Sequence, residues 1–261
     1  MTEVLTFDKF GTIVKIPKST PSHNWFTIIY HKWETETFQA IDRLLDPTKY
    51  FLDIGAWIGP LSVYAGQKCK GVICVDADRE ALLDLKANLA ANNVNIAYIY
   101  EQPIDSIHRR VKFGANQFGL GENKLNKSIS QIQREDLPEA YSYPIETITY
   151  TDILKRFPKS QIGLIKIDIE GGEETILEDT LRLAQDIPVL ISFHCLWWKD
   201  RNHLEILDRL VQELNLIATD YKGNLILDPK TYIKNSPFGS LAIGTQKNLN
   251  FESIEKTISS R

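Results

Sequence analysis

A short apolar run that breaks into a glycine-bearing turn constrains this chain more than any other stretch. The run Phe51-Leu-Asp-Ile-Gly-Ala-Trp-Ile-Gly-Pro60 has the pattern of a buried parallel strand, a tight turn and the start of a helix. Gly55 and Gly59 allow the backbone to turn sharply and to pass close to a ligand. Open α/β sheets hold nucleosides at the carboxyl ends of their strands with a unit of this kind. The stretch therefore predicts a nucleoside-binding edge of a parallel sheet.

The residues within the turn argue against a phosphate as the bound group. A dinucleotide site needs a second glycine where this chain has Trp57, and the helix opens with Pro60, which has no N–H to donate. These two residues also disfavour a nicotinamide-dependent dehydrogenase. The next apolar run, 72–75, ends at Asp76, whose carboxylate can accept hydrogen bonds from both hydroxyls of a ribose. Together with Asp53 these features suit a nucleoside without phosphates, such as S-adenosylmethionine; the alternative is an ordinary strand-turn-helix unit with two surface acids.

Several segments resemble the signature blocks of the FkbM-type family of S-adenosylmethionine-dependent O-methyltransferases. They are Asp53-Ile-Gly-Ala-Trp-Ile-Gly-Pro60, Val75-Asp-Ala-Asp78, Ile165-Lys-Ile-Asp-Ile-Glu-Gly-Gly-Glu173, Trp33-Glu34 with Thr37, and Ser192-Phe-His194. The resemblance extends from about residue 30 to about residue 200. It implies a Rossmann-like α/β fold of the class I methyltransferases, with S-adenosylmethionine as cofactor. That fold has a seven-stranded, mostly parallel sheet, helices on both faces and an antiparallel C-terminal strand.

The length and apolar content of the chain set its expected organisation. With 261 residues, 43% of them apolar, the chain can bury a full core, and one large domain over 1–261 is expected. An N-terminal cap and helix would occupy 1–46, and the Rossmann-like core would span 47–245. Within the core we expect a substrate-facing loop at 106–145, because long connections in compact domains are often functional. A tail would follow at 246–261.

Charge and cysteine usage bound the partners and the compartment. A formal net charge of -4 gives no electrostatic reason to expect nucleic acid or an anionic membrane. The three cysteines are scattered without metal-ligand spacing, which favours reduced thiols and a cytoplasmic location. No apolar stretch approaches the length of a membrane span, and the first residues lack a signal-peptide pattern.

Twelve residues are candidates to hold the cofactor. Glu34 and Thr37 open a helix that covers the mouth of the site in related folds, although an exposed helix start is an equal alternative for Glu34. Glu101 and Gln102 follow the third strand, next to the adenine position, where this chain departs from the small Asn-Ala stretch usual in the family. The candidates are Glu34, Thr37, Asp53, Gly55, Ala56, Trp57, Gly59, Asp76, Ala77, Asp78, Glu101 and Gln102.

The catalytic candidates follow the fourth and fifth strands. Over 162–169 the alternation of a strand places Lys166, Asp168 and Glu170 on one side, where charges in a covered sheet are costly unless they are paired or functional. His194 ends the next apolar run and has a pKa suited to a general base. We expect His194 or Asp168 to take the proton of the acceptor hydroxyl and Lys166 to orient Asp168. The alternatives are a purely structural ion cluster, or a divalent metal bound by Asp168 and Glu170.

The acceptor is predicted from aromatic and polar side chains near these groups. Trp197 and Trp198 suit the apolar face of a sugar ring, and Asn116 in the polar loop is a candidate sugar contact, although the tryptophans may equally be core residues and the loop plain surface. We therefore expect O-methylation of a sugar or glycan hydroxyl. A small natural product as acceptor, or a non-catalytic subunit that keeps the fold, are the alternatives. The Asn/Asp-Pro-Pro-aromatic motif of enzymes that methylate amino groups is absent from the sequence.

Overall fold

The structure is a computed structural model that describes residues 3–114, 130–132, 142–198 and 202–250. Its strands, in chain order, are β1 (Val4–Lys9), β2 (Thr12–Pro17), β3 (Tyr50–Ile54), β4 (Gly71–Val75), β5 (Ile96–Tyr100), β6 (Arg110–Gly114), β7 (Gln131–Ile132), β8 (Ser142–Glu146), β9 (Ile162–Ile167), β10 (Val189–Ser192), β11 (Ile217–Thr219) and β12 (Ser240–Gly244). Its α-helices are α1 (His23–Trp25), α2 (Thr35–Leu44), α3 (Pro60–Gly66), α4 (Arg79–Ala91), α5 (Tyr150–Arg156), α6 (Glu173–Leu183), α7 (His203–Glu213) and α8 (Pro229–Asn235). Helix α1 continues as a π-helical segment over Phe26–Tyr30. Among these ranges no helix is long and apolar enough to cross a membrane.

A seven-stranded sheet forms the centre of the molecule. Its strand order is β11-β12-β10-β9-β3-β4-β5. The pairs from β10 to β5 are all parallel, whereas β12 runs antiparallel to both β10 and β11. From β3 the chain adds β4 and β5 on one side of the sheet, and later β9 and β10 on the other. The strand order therefore switches between β3 and β9, and open sheets of this kind bind ligands at that switch point. The expected mostly parallel, seven-stranded α/β fold is confirmed.

The sheet is covered on both faces because its central strands are mostly apolar; Asp53 in β3 and Lys166 in β9 are the charged exceptions. Every residue of β4 and β9 is buried, and two separate clusters of buried side chains lie on the two sides of the sheet. Helix α2 contributes Phe38, Ile41 and Leu44 to one of these clusters, and α6 contributes Ile176 and Leu177 to the other. Such amphipathic helices bury their apolar stripe and leave the polar one in water. The strand ends are thus held in fixed positions for the site.

An N-terminal hairpin supports the segment that leads into α2. Strands β1 and β2 pair antiparallel, as the expected N-terminal hairpin or cap requires. The buried Lys9 ammonium donates to the carbonyl oxygens of Tyr30 and Trp33 at 2.9 Å each and to that of His31 at 3.3 Å. These carbonyls lie at and just after the end of the π-helical segment, where backbone acceptors lack partners within the helix. The lysine therefore fixes the backbone immediately before Glu34.

Three details of the expected fold were wrong. The fourth strand of the core ends at Ile167 rather than Ile169, because Asp168 leaves the ladder and Glu170 adopts a positive φ of 54°. The apolar run 241–245 comes late in the chain and its pattern predicts a final edge strand, but β12, which it forms, lies between β10 and β11. The region 106–145, expected as a loop, contains strands β6 and β7 that pair in a small antiparallel sheet with β8.

Candidate active site

The turn after β3 passes so close to the end of β9 that only glycine fits. Gly55 has φ +82°, and a Cβ there would lie 1.8 Å from the carbonyl oxygen of Asp168. The Gly55 N–H donates to the carbonyl of Val75 at 2.8 Å, and the Asp168 N–H donates to that of Ile54 at 2.9 Å. The ends of β3, β4 and β9 are therefore bonded to one another around this glycine. Gly59 has φ +83° and begins α3, as the turn predicted.

Asp76 lies at the carboxyl end of β4 and ties the turn to the next loop. Its Oδ2 accepts the N–H of Trp57 at 2.6 Å, and its Oδ1 accepts that of Asp78 at 2.8 Å. Burial raises its pKa to about 6, although these two hydrogen bonds oppose the change. Each carboxylate oxygen has a second lone pair, so the group can still accept hydroxyl donors.

A crevice of about 60 Å³ opens beside Asp76. We call it the adenosine crevice; its walls include Asp76, Ala77, Gln102, Ile104, Phe113 and Ile132. Gln102, a predicted cofactor contact, is therefore a wall residue of this crevice. Glu101, the other candidate after β5, is not among the walls and pairs with Lys86 at 2.6 Å. Asp78 borders the crevice but also caps α4 and accepts a hydrogen bond from Ser130 at 2.6 Å.

A second cavity, of about 210 Å³, adjoins the first. We call it the acidic cavity; its walls include Trp25, Trp33, Glu34, Asp53, Lys166 and His194. Ala56 also lines it, and Gly55, Trp57, Asp168 and Glu170 border both cavities. A ligand that extends from one cavity into the other would therefore pass over the glycine turn. Thr37 lies behind the wall, where its hydroxyl donates to Glu34 at 2.9 Å.

Three of the seven non-glycine residues with positive φ in the described ranges lie at these cavities. Glu34, Trp57 and Glu170 have φ values of 40°, 49° and 54°, which are unusual for residues with a side chain. All three line the acidic cavity. Such strain persists only where the surrounding structure imposes it, and it is frequent at functional sites. The backbone therefore marks the same place as the side chains do.

Lys166 and Asp168 form a buried pair at the end of β9. The fully buried Lys166 ammonium donates to Asp168 Oδ2, to the Ser192 hydroxyl and to the carbonyl of Ile167, each at 3.1 Å. Burial alone would lower the pKa of Lys166, but Asp168 and other acids nearby raise it above its ordinary value. Burial likewise opposes ionisation of Asp168, but Lys166 and His194 hold the pKa of that carboxyl below its usual range. Both groups are therefore charged at neutral pH.

His194 is held by a fully buried carboxylate, Glu173. The imidazole Nδ1 lies 2.7 Å from Glu173 Oε1, and the other oxygen of Glu173 accepts the Trp198 indole N–H at 3.2 Å. The second ring nitrogen, Nε2, lies 3.5 Å from a carboxylate oxygen of Asp168 and 3.5 Å from one of Glu170. Burial lowers the pKa of His194, but Glu173, Asp168 and Glu170 together raise it to about 9.

The remaining carboxyl groups of the acidic cavity are perturbed by burial. Burial raises the pKa of Glu170 to about 7 and that of Asp53 to about 6. Asp53 accepts a short hydrogen bond from the Ser62 hydroxyl. The pKa of Glu34 is also raised, by burial first and then by the charge of Asp168. The cavity thus concentrates negative charge in a place that water reaches poorly.

An aromatic wall stands beside His194. Trp197 stacks on the imidazole, with ring centroids 5.3 Å apart and planes within 6°. Phe238 contacts both rings edge-on, at 5.8 Å and 5.7 Å, and is 55% exposed. Trp198 is buried, and its indole supports Glu173 instead of presenting a face to the cavity. Asn116 lies outside the described residues.

Sequence reasoning missed several residues of the site. Glu173 was assigned only to the start of α6, although its place after two glycines, at the end of a strand-turn unit, was a signal. Trp25 and Phe238 carried no motif, and neither did Phe113 and Ile132 in the adenosine crevice. Their roles depend on segments that meet only in the folded chain.

The fold and the site define a class of protein. In the sheet one antiparallel strand, β12, is inserted between β10 and the edge strand β11. A glycine turn follows β3, and a carboxylate stands at the end of β4. These are features of a class I S-adenosylmethionine-dependent methyltransferase. The chain belongs to the FkbM methyltransferase family, since the family described as "Methyltransferase FkbM domain" matches residues 53–217, more than half of its length. The expected family, enzyme class and cofactor are thereby confirmed. No curated protein matches the chain.

Several solved structures are similar to this chain at low sequence identity. TYW2 of M. jannaschii, in complex with AdoMet, is 10% identical, with 93% of this chain and 85% of that chain covered and a TM-score of 0.43. The methyltransferase FkbM from Methylobacillus flagellatus KT is 16% identical, with 76% and 43% covered and a TM-score of 0.44. A ribosomal protein L11 methylase from Lactobacillus delbrueckii subsp. bulgaricus is 16% identical, with 82% and 79% covered and a TM-score of 0.41.

The residues present fit S-adenosylmethionine. The adenosine crevice combines apolar walls for a flat base with the amide of Gln102 and the carboxylate of Asp76 for polar edges and hydroxyls. The acidic cavity next to it suits the cationic sulfonium and ammonium groups, through Glu34 and Asp53. Neither group of residues offers a lysine or arginine directed at a phosphate, in agreement with the phosphate-free ligand inferred from Trp57 and Pro60.

Proposed function

We propose that this methyltransferase acts on a hydroxyl group of a sugar or glycan. The observation that carries the proposal is the aromatic wall, in which Trp197 stacks on His194 and Phe238 closes the corner. An aromatic face packs well against the apolar face of a sugar ring while the ring hydroxyls keep their hydrogen bonds. An acceptor placed against Trp197 would bring one hydroxyl to the groups that surround His194.

The cofactor would be held by residues of both cavities. S-adenosylmethionine supplies a methyl group activated by a positively charged sulfur. Asp76 would accept hydrogen bonds from the ribose hydroxyls, and Gln102 would border the adenine. Glu34 and Asp53 would face the methionine end within the acidic cavity. Methyl transfer is an in-line displacement, so the main contribution of these residues is alignment.

The hydroxyl proton would leave to Asp168 or Glu170, which face the same gap as His194. His194 itself was expected as a base, but its pKa of about 9 keeps the imidazole protonated at neutral pH, so it would act by its charge instead. The facing atoms of these three residues lie within 4.8 Å of one another at the border of the two cavities. Lys166 keeps Asp168 ionised, which supports its use as a hydrogen-bond acceptor for the substrate hydroxyl. Glu173 acts on the reaction only by orienting the imidazole. A proton acceptor within hydrogen-bond reach is what general base catalysis requires.

A labelled-methyl transfer assay tests the proposal. The purified chain is incubated with methyl-tritiated S-adenosylmethionine and a panel of neutral glycosides and oligosaccharides, with flat phenolic natural products as a second panel. We expect labelling of the carbohydrate panel, a Trp197→Ala variant with a KM raised about tenfold, and an unchanged Leu83→Ala control, whose side chain is exposed on α4. His194→Ala should slow turnover without changing cofactor affinity. Labelling of the phenolic panel alone would overturn the sugar assignment.

A further inference from the structure

Three side chains converge at the border of the two cavities, and the contacts between them are longer than ordinary hydrogen bonds. The facing atoms of Asp168, Glu170 and His194 all lie within 4.8 Å of each other, and the two oxygens are each 3.5 Å from His194 Nε2. Hydrogen bonds between nitrogen and oxygen are usually about 2.7 to 3.2 Å long, so these atoms face a common gap. In an octahedral site with bonds of about 2.1 Å, ligand atoms are about 3.0 Å apart when adjacent and about 4.2 Å when opposite. The observed separations are therefore those of a near-assembled ligand set.

The histidine is oriented as a metal ligand would be. Glu173 Oε1 lies 2.7 Å from Nδ1, which leaves Nε2 directed at the gap. Glu173 is itself fixed, because it also accepts the Trp198 indole N–H at 3.2 Å and the Ile169 N–H at 3.3 Å. A buried carboxylate that holds the outer nitrogen of an imidazole is the usual support of a metal-bound histidine, since it fixes both tautomer and ring orientation. Glu173 thus holds the His194 ring in place without help from Asp168 and Glu170, the two carboxylates that face the gap.

The surroundings of the gap also favour a cation. Four carboxyl side chains line the acidic cavity, namely Glu34, Asp53, Asp168 and Glu170, and Lys166 is the lysine on the same wall. The ammonium of Lys166 is already bonded to three oxygens.

We propose that Asp168, Glu170 and His194 bind one divalent cation. Two carboxylates and one imidazole suit Mn²⁺, Fe²⁺ or Zn²⁺ better than Ca²⁺ or Mg²⁺, whose ligands are oxygens. This inference rests on the proposed function: the ion would lie where the acceptor hydroxyl enters and would lower the pKa of that hydroxyl as a Lewis acid. Nε2 of His194 would then serve as a ligand, and the ion-loaded enzyme would not use this imidazole as its base.

Titration of the full chain with Mn²⁺ tests the site directly. Free Mn²⁺ gives a strong electron paramagnetic resonance signal that decreases on binding, and calorimetry gives the stoichiometry. We expect one equivalent to bind, with the affinity at least tenfold weaker in Glu170→Gln. The matched control is Glu174→Gln, because Glu174 is a buried acid four residues further along the chain that pairs with His203 at 3.3 Å, and it should bind Mn²⁺ as the parent does. S-adenosylmethionine binding by each variant verifies that it is folded.

The outcomes separate this inference from the proposed function. An undiminished Mn²⁺ signal with the folded parent chain, or equal affinities for Glu170→Gln and Glu174→Gln, overturns the cation site. Sugar methylation that proceeds with the parent chain in the presence of a chelator would do the same and leave the proposed function standing. Conversely, one bound Mn²⁺ that depends on Glu170, without methylation of any carbohydrate, supports the site and sinks the acceptor assignment.

Discussion

Replacement of Glu173 by glutamine probes the pair that orients His194. Glu173 is fully buried and accepts three hydrogen bonds, from His194 at 2.7 Å, Trp198 at 3.2 Å and the Ile169 N–H at 3.3 Å. Glutamine preserves the volume but removes the charge and leaves one acceptor oxygen. An NH₂ group in place of Oε1 deprives both His194 and the Ile169 N–H of their acceptor, and one in place of Oε2 deprives the Trp198 indole. The contact with the imidazole is charge-assisted, and its loss should cost about 2 kcal/mol.

The same substitution should change the ionisation of His194. Against burial, which lowers it, the hydrogen bond to Glu173 contributes most to the rise of the pKa to about 9. A loss of about 2 kcal/mol corresponds to a fall of about 1.5 pKa units. A histidine pKa raised above its unfolded value of 6.5 stabilises the fold fully below that pH, and the contribution is lost as pH rises through 9. Glu173→Gln should therefore destabilise the protein more at about pH 6 than at about pH 10.

The two effects are measured by nuclear magnetic resonance titration of the histidine rings and by urea unfolding at the two pH values. Glu174→Gln is the control, since its partner is His203, at 3.3 Å, and not His194. The reasoning is refuted if the pKa of His194 is the same in the parent and in Glu173→Gln. It is equally refuted if Glu174→Gln moves that pKa as far.

Three further substitutions test other parts of the site. Gly55→Ala should abolish S-adenosylmethionine binding in calorimetry, because its Cβ would meet the Asp168 carbonyl at 1.8 Å and force the strand ends apart; near-parent affinity would contradict that geometry. Asp76→Ala should weaken S-adenosylmethionine binding more than tenfold. The affinity of the parent chain should also fall as pH drops below about 6, because the raised pKa of Asp76 leaves this carboxyl protonated there. A calorimetric affinity that stays constant between pH 5 and 7.5 would exclude this role. Lys166→Met should cost about 2 kcal/mol of unfolding free energy in urea, because the partly buried Asp168 would lose its charge-assisted bond to the ammonium. An unchanged midpoint would show that the pair is dispensable.

The parts of the fold that sequence analysis predicted correctly are those with local signatures. The glycine turn after β3 and the acid after β4 follow from residue types whose backbone or charge leaves few alternatives. The position of β12 could not be predicted in this way, because an apolar run does not indicate which neighbours it will pair with. Strand β6 was missed although its residues alternate between charged and apolar, as in a half-buried strand, because it is short and occurs within a long polar region.

Sequence analysis predicted which strand ends carry the charged residues of the site, but not how their side chains are held. Lys166, Asp168 and His194 were placed at adjacent strand ends, and the structure brings them together. Glu101 was placed by its position after β5 alone, and the direction of its side chain depends on Lys86, a residue of the preceding helix. The support that Glu173 gives to His194 arises from the packing of α6 against the end of β10, which no local pattern records.

The wall contributed by Trp25, Trp33 and Glu34 has a consequence for how this enzyme can be divided. The family match begins at Asp53, so these three residues, and the Lys9 contacts that position them, lie ahead of the matched segment. An excised catalytic core starting there would have its reaction chamber open on one side. A chimaera that received the leading segment of another family member would keep its own adenosine crevice, but one wall of its acidic cavity would come from the other protein.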